Sequence, residues 1–214
     1  MSAAVRVGIV DSGVHAAHPH VNGVAGGVAI GGANGDGTDY VDRLGHGTAV
    51  AAAIREKAPE AALFAVKVFH DRLITSIEAL VKAIDWCVAQ RMDLINLSLG
   101  TQNTAHEALL RSALDRVTAT GLRLVAAGED AGVRWLPGSL AGAVPVRLDW
   151  DCPRHEYRTT RLEDGRTVYR ASGYPRPRPG VPPERNLKGI SFAVANVTGL
   201  LAAEAARAAY RPMA

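Results

Sequence analysis

The stretch ALFAVKVFHDRLITSIEALVKAIDWCVAQRMDLINLS, residues 62–98, decides the architecture. It opens on an unbroken apolar run, Ala62–Val68, of the length and branched content expected of a strand buried on both faces. Thr75 followed three residues later by Glu78 has the form of a capping box. Ile77, Leu80, Val81, Ile84 and Val88 then recur at i, i+3, i+4, i+7 and i+11, a single helical stripe. Asp93–Ser98 closes the stretch as another short apolar strand. Strand, amphipathic helix and strand make a βαβ unit, which implies parallel pairing and a right-handed crossover.

The same alternation extends in both directions. Val5–Val10 predicts a strand that runs into a turn at Asp11-Ser12-Gly13. Residues 22–40, rich in Gly, Asn and Asp, predict a loop around a short strand at Val28–Ile30, and the Ala-rich segment from His46 to about Ala58 predicts a helix. Thr104 and Glu107 form a second capping-box pattern ahead of the stripe Leu110, Leu114, Val117, with Gly121 as the stop. Leu122–Ala127 predicts a strand. Gly142–Val146 predicts a weaker one because Pro145 lacks a backbone donor. A long helix is expected from Ser191 to Tyr210. The expected fold class is α/β: a three-layer αβα arrangement around a mostly parallel, doubly wound sheet, in a single domain over residues 1–214 with no internal repeat.

Composition narrows the class of function. With 48% hydrophobic and 21% charged residues the chain is an ordinary globular sequence, and no apolar run approaches the roughly 18 residues of a membrane span. MSAAVRVGIVDSG carries no secretory or transit pattern, so a cytoplasmic protein is expected, with Cys87 and Cys152 as free thiols. Neither cysteine sits in a metal motif, and neither a metal nor another cofactor is expected. Asp36, Asp39 and Asp42 read as residues of a solvated loop rather than a calcium site. The net charge of +3 is unevenly placed: residues 153–188 carry nine basic and four acidic side chains and six of the eleven prolines. That segment reads as a solvated loop or as a docking surface for an acidic peptide. Nucleic acid is disfavoured, since no aromatic residues interleave the charges for stacking.

In a doubly wound sheet, functional groups gather at the carboxyl ends of the strands. Asp11 ends the first strand, while His46 and Ser191 each open a helix. Taken singly, these are ordinary turn or capping residues. Their flanks are VGIVDSGV (7–14), GHGTAVA (45–51) and GISFAVANVTG (189–199), in the chain order Asp, His, Ser. Order and flanks together resemble the subtilisin-like serine proteases. The resemblance extends through His18-Pro19, Asp42, Ala58-Pro59, Ala65-Val66-Lys67-Val68, Ile95–Gly100 (INLSLG), Ala126-Ala127-Gly128 and Pro137–Val146, and weakens over 147–188.

The resemblance implies a serine endopeptidase in which Asp11 orients His46, His46 takes and returns a proton, and Ser191 is the nucleophile. It also implies that Ser98, Leu99 and Gly100 pair with an extended peptide by strand addition. Ala126, Ala127 and Gly128 would wall the pocket for the residue before the scissile bond. The chemistry agrees: a serine hydroxyl needs a neighbouring imidazole as base, and a carboxylate fixes that imidazole's tautomer.

The departures from the family are as informative. Glu129 stands where the family places an oxyanion-donating Asn. A carboxylate can donate there only if protonated, and loss of such a donor costs roughly 10²–10³ in rate. Ile190, Phe192 and Ala195 replace the Thr, Met and Pro that flank the family's nucleophile. No prodomain is evident before the first strand. These features resemble the cytosolic subtilisin-like proteases that remove leader peptides from modified peptides, the branch that matures the small crosslinked subunit of quinohemoprotein amine dehydrogenase among them. The partner so implied is a peptide or small protein precursor, with no nucleic acid and no membrane. The alternative is a non-catalytic peptide-binding domain of the same fold, motivated by Glu129. A nucleotide-binding protein is argued against because no glycine-rich phosphate motif follows a strand.

Overall fold

The computed structural model describes residues 4–32 and 35–209. Eleven strands and four helices follow one another as β1 (Arg6–Asp11), β2 (Gly26–Gly32), β3 (Gly35–Gly37), α1 (His46–Lys57), β4 (Ala62–Lys67), α2 (Ile77–Ala89), β5 (Leu94–Leu97), α3 (Glu107–Ala119), β6 (Arg123–Ala127), β7 (Glu129–Asp130), β8 (Val133–Arg134), β9 (Ala143–Leu148), β10 (Arg158–Arg161), β11 (Thr167–Ala171) and α4 (Ile190–Ala209). Nine strands form one sheet in the order β10-β11-β9-β6-β5-β1-β4-β2-β3. All neighbouring pairs are parallel except β2/β3 and β10/β11.

Alternation along the central strands sends side chains to two cores. Val7 and Ile9 of β1, Leu63 and Ala65 of β4 and Val125 of β6 pack with α1 and α4. Val10, Phe64, Val66 and Leu124 pack with α2 and α3 on the other face. The three-layer αβα architecture is therefore as expected from sequence. Close helix approach fixes one composition detail: a Cβ on Gly8 of β1 would lie 2.7 Å from the Cys87 sulfur of α2.

Chain direction reverses at the centre of the sheet. From β1 the chain moves out to β2 and returns through β4, whereas β5 leads by way of α3 to β6 on the opposite side. The carboxyl ends of adjacent β1 and β5 thus form a topological switch point, the crevice where α/β folds place ligands.

Several expectations are corrected. Residues 153–188 are not simply a solvated loop: β10 and β11 form an antiparallel hairpin, and β11 joins the sheet beside β9 with Val168 and Ala171 buried. The edge strand β10 (RTTR) has no apolar residue and β11 (TVYRA) is only five residues long, so neither shows the extended apolar alternation by which strands are recognised. The 22–40 segment contains two strands rather than one. Ser76, not Thr75, caps α2, its hydroxyl accepting the Ala79 N–H. Asn103 rather than Thr104 caps the helical turn that leads into α3. The unforeseen β7–β8 hairpin follows β6 directly. The expected end of α4 at Tyr210 lies outside the described residues.

If β11 is an integral strand, Val168→Asp buries a carboxylate against the core and lowers stability by about 2–4 kcal/mol. Urea unfolding measures this, and a loss under about 0.5 kcal/mol would identify the segment as a solvated loop.

Candidate active site

Asp11 ends β1 with no exposed surface. Its carboxylate accepts the Ser12 N–H at 2.7 Å and meets His46 Nδ1 at 2.7 and 2.9 Å through its two oxygens. Since a carboxylate only accepts, Nδ1 carries the proton and Nε2 keeps a free lone pair. The approach depends on Gly47, where a Cβ would lie 2.1 Å from the Gly13 carbonyl oxygen and 3.2 Å from Asp11. The Phe192 ring packs 5.7 Å from the imidazole, filling the place for which a methionine was expected.

Asp42, read from sequence as a loop residue, is a structural anchor. It is 8% exposed. One oxygen accepts from Ser12 Oγ, Leu44 N–H and Gly45 N–H, and the other from Thr48 N–H and Thr48 Oγ1. These bonds satisfy the orphan donors at the start of α1 and hold His46 in place. Burial pushes the Asp42 pKa up, but the hydrogen bonds from Thr48, Gly45 and Leu44 outweigh it and leave it below the ordinary value. Lys67 adds a second anchor from β4: fully enclosed, its ammonium donates to the Val41 carbonyl at 2.7 Å. The spacing of Asp42 four residues before His46 was visible in the sequence. The role of Lys67 was not, because a lysine in an apolar run gives no sign of what it reaches.

Ser191 lies in the first turn of α4, where the leading N–H groups lack helical acceptors. Its hydroxyl donates to the Ser98 carbonyl at 3.2 Å. Ser98 Oγ in turn donates to the Ser191 carbonyl at 3.1 Å and accepts from Asn96 Nδ2 at 2.8 Å. Thr198 Oγ1 donates to Asn96 Oδ1 at 3.1 Å. A polar chain, buried at Asn96 and Thr198 and half-buried at Ser98 and Ser191, thereby stitches the end of β5 to α4. Among the described residues no hydrogen bond joins Ser191 to His46, so attack requires the hydroxyl to leave Ser98 and rotate to the imidazole. Such tightening on substrate binding is common for catalytic contacts.

His46 and Ser191 line one cleft of about 450 Å³ together with Ser98, Leu99, Gly100 and Ala127. Ala126 is buried behind it in β6, and the Gly128 N–H donates to the Val146 carbonyl at 2.9 Å. The structure therefore brings His46, Ser191, Ser98, Leu99, Gly100 and Ala127 onto one cleft with Asp11 behind His46, whereas Ala126 and Gly128 do not line it.

Glu129, at the position where the resemblance has an oxyanion-donating Asn, does not meet the condition under which a carboxylate could replace it. It is exposed in β7, and its carboxylate accepts from Arg147 at 2.6 Å. Engaged as an acceptor, it supplies no hydrogen bond to an oxyanion.

The carboxylates of the preceding loop do not suit a cation. Asp36 pairs with Lys82 at 2.5 Å, Asp39 with Arg43 at 2.8 Å, and Asp42 is already filled by protein donors. Among the described residues no group of three or more His, Cys, Asp or Glu side chains is placed to hold a metal. Nor is any described helix long and apolar enough to cross a membrane.

Comparison with known proteins places this geometry in a family. The Subtilase family (Peptidase_S8) matches residues 2–146, which include Asp11 and His46 but not Ser191. The chain belongs to the subtilase family. It is 35% identical to the minor extracellular protease Epr of Bacillus subtilis (strain 168) over 60% of this chain and 20% of that protein. It is 32% identical to subtilisin of Bacillus pumilus over 60% of this chain and 48% of that protein. A thermostable alkaline protease of Halalkalibacterium halodurans is 33% identical over 66% of this chain and 40% of its own length. The matches thus span half or less of these relatives. The structure of prenylagaramide maturation protease PagA superposes with a TM-score of 0.67 at 23% identity, covering 95% of this chain and 77% of the other. The shared fold therefore extends through the α4 region that the family match leaves out.

The pH behaviour of His46 follows from its neighbours. Burial disfavours the imidazolium, the hydrogen bond and charge of Asp11 favour it, Asp42 adds to Asp11, and the net pKa is raised above 6.5. Asp11→Asn removes the opposing charge and leaves the burial. In this variant the His46 pKa, followed by NMR titration, is expected to fall below 6.5. An unchanged value would show that Asp11 does not control the imidazole.

Proposed function

We propose that this chain is a serine endopeptidase that removes a leader from a specific peptide or small protein precursor. Ser191 Oγ attacks the scissile carbonyl while His46 Nε2 accepts its proton. His46 then delivers that proton to the leaving amine, and water, activated by the same imidazole, releases the acyl group from Ser191. Asp11 holds the imidazole in the required tautomer and stabilises its charged form. The Ser191 N–H and the positive end of α4 face the developing oxyanion. The observation that carries this reading is the buried Asp11–His46 pair at 2.7 Å, placed on the same cleft as Ser191.

Dedication to one precursor is supported by the Glu129–Arg147 pair, which leaves the second oxyanion donor unsupplied and so demands productive docking to compensate a slow chemical step. The fold likeness to a protein titled a maturation protease points the same way. Two buried free thiols, Cys87 and Cys152, fit a cytoplasmic setting. A second reading, a non-catalytic peptide-binding domain, draws on the same Glu129 and on the Ser191 hydroxyl being bonded to Ser98.

A fluorophosphonate probe separates the two. The enzyme is expected to label at Ser191 near pH 8, with labelling abolished in Ser191→Ala and strongly reduced in His46→Ala. Absence of labelling between pH 5 and 9 would favour the binding domain. Glu129→Asn is expected to raise the labelling rate, toward the roughly 10²–10³ that an oxyanion donor supplies. A lower rate would mean that Glu129 itself assists the reaction.

A further inference from the structure

A second concavity, of about 760 Å³, lies against the first and shares none of its lining residues. Its cationic lining is Arg43, Arg176 and Arg178, and the imidazoles of His15, His18 and His20 stand beside them. Asp42, the one carboxylate on the wall, is spent on five internal hydrogen bonds. Asp39 neutralises Arg43 in an exposed i,i+4 pair at 2.8 Å. Arg176 and Arg178 have no carboxylate within ion-pair distance among the described residues.

Arg176 is held in place, and the backbone that carries both arginines is restricted. Arg176 donates to the His20 carbonyl at 3.0 Å, and Asn186 donates to the Arg176 carbonyl at 3.5 Å. Pro175, Pro177 and Pro179 alternate with them and fix their backbone, so little chain entropy is lost when an anion binds. The positive field reaches the wall of the groove: burial first, then Arg176, His18 and Arg178, lower the pKa of His20, with Glu56 opposing.

Groove and cleft have a common rim. Leu44 and Gly45 line the groove, and the next residue, His46, lines the cleft, with consecutive Cα atoms only about 3.8 Å apart. Leu187 lines the groove three residues before Ile190 and four before Ser191 of the cleft. The basic groove therefore borders the cleft at two places along the chain.

We propose that this groove is an exosite for an acidic segment of the polypeptide substrate, in which Arg176 and Arg178 receive Asp or Glu carboxylates while the scissile bond lies at Ser191. The assignment of the bond to Ser191 rests on the protease reading; the anion site itself does not. Guanidinium–carboxylate pairing supplies the recognition, and the groove accounts for selectivity that the Ser98–Gly100 edge, which pairs with backbone, cannot provide.

The test uses the full-length Ser191→Ala protein and fluorescein-labelled hexaglutamate, followed by fluorescence anisotropy. Hexaglutamate is expected to bind, with hexaglutamine at least tenfold weaker and affinity falling as salt rises. Arg176→Gln/Arg178→Gln is expected to weaken hexaglutamate by roughly tenfold or more. Arg91→Gln/Arg161→Gln, which removes two charges elsewhere on the surface, should leave binding within twofold. The single variant Arg178→Gln, whose side chain anchors nothing in the fold, should show a loss of the same sign. Equal weakening by both double variants, or hexaglutamate binding no tighter than hexaglutamine, would overturn the exosite. A labelled oligothymidine that binds more tightly than hexaglutamate and responds to the same arginines would reassign the groove to nucleic acid. Fluorophosphonate labelling of the wild-type protein is read separately: failure there removes the protease, whereas labelling without hexaglutamate binding removes only the exosite.

Discussion

A carboxylate with no exposed surface at the end of the central strand must be compensated by protein donors, and much of this site follows from how Asp11 is satisfied. It takes the Ser12 N–H and the imidazole of His46, which fixes where α1 begins. The glycine at position 47 follows, because any side chain there collides with the Gly13 carbonyl. Asp42 then closes the start of the helix, and Ser12, which binds Asp42 through its hydroxyl, also accepts the Gly47 N–H at 2.9 Å. Two buried acids, one serving the imidazole and one the helix end, are thus locked together. Losing either leaves unsatisfied donors around the other.

Much of this was legible in the sequence, and the reasons differ by residue. The parallel sheet was readable because strands buried on both faces are continuous apolar runs, as in Ala62–Val68. Asp11, His46 and Ser191 stood out because neighbouring glycines permit close backbone approach and because their chain order and flanks resemble a protease family. What stayed hidden depended on partners far along the chain. In the β10–β11 hairpin, RTTR pairs with TVYRA, and the strands are too short and polar to stand out from the basic, Pro-rich segment around them. Glu129 could be seen to be wrong for a donor, but not to be held by Arg147, eighteen residues on. The capping positions slipped by one residue where two candidate caps adjoin, as at Thr75 and Ser76.

The polar chain from Thr198 through Asn96 and Ser98 to Ser191 ties the nucleophile to the end of β5. The same strand end supplies the Ser98–Gly100 edge of the cleft. On the proposed reading, one element then sets both Ser191 and the edge offered to a peptide backbone, which leaves the sequence of the substrate to be read elsewhere. The basic groove beyond His46 offers that separate contact. Weak oxyanion support in the cleft and one-sided charge outside it fit a protein whose discrimination lies in docking more than in the speed of the chemical step.

The central claim is that Asp11 holds His46 with its proton on Nδ1, so that Nε2 can accept from Ser191. Nitrogen-15 NMR of selectively labelled histidine, on the full chain above the His46 titration, reads the tautomer directly. The account predicts a protonated Nδ1 and an unprotonated Nε2 for His46. An imidazole protonated on Nε2 would contradict it, since Ser191 would then face a donor with no lone pair to receive its proton.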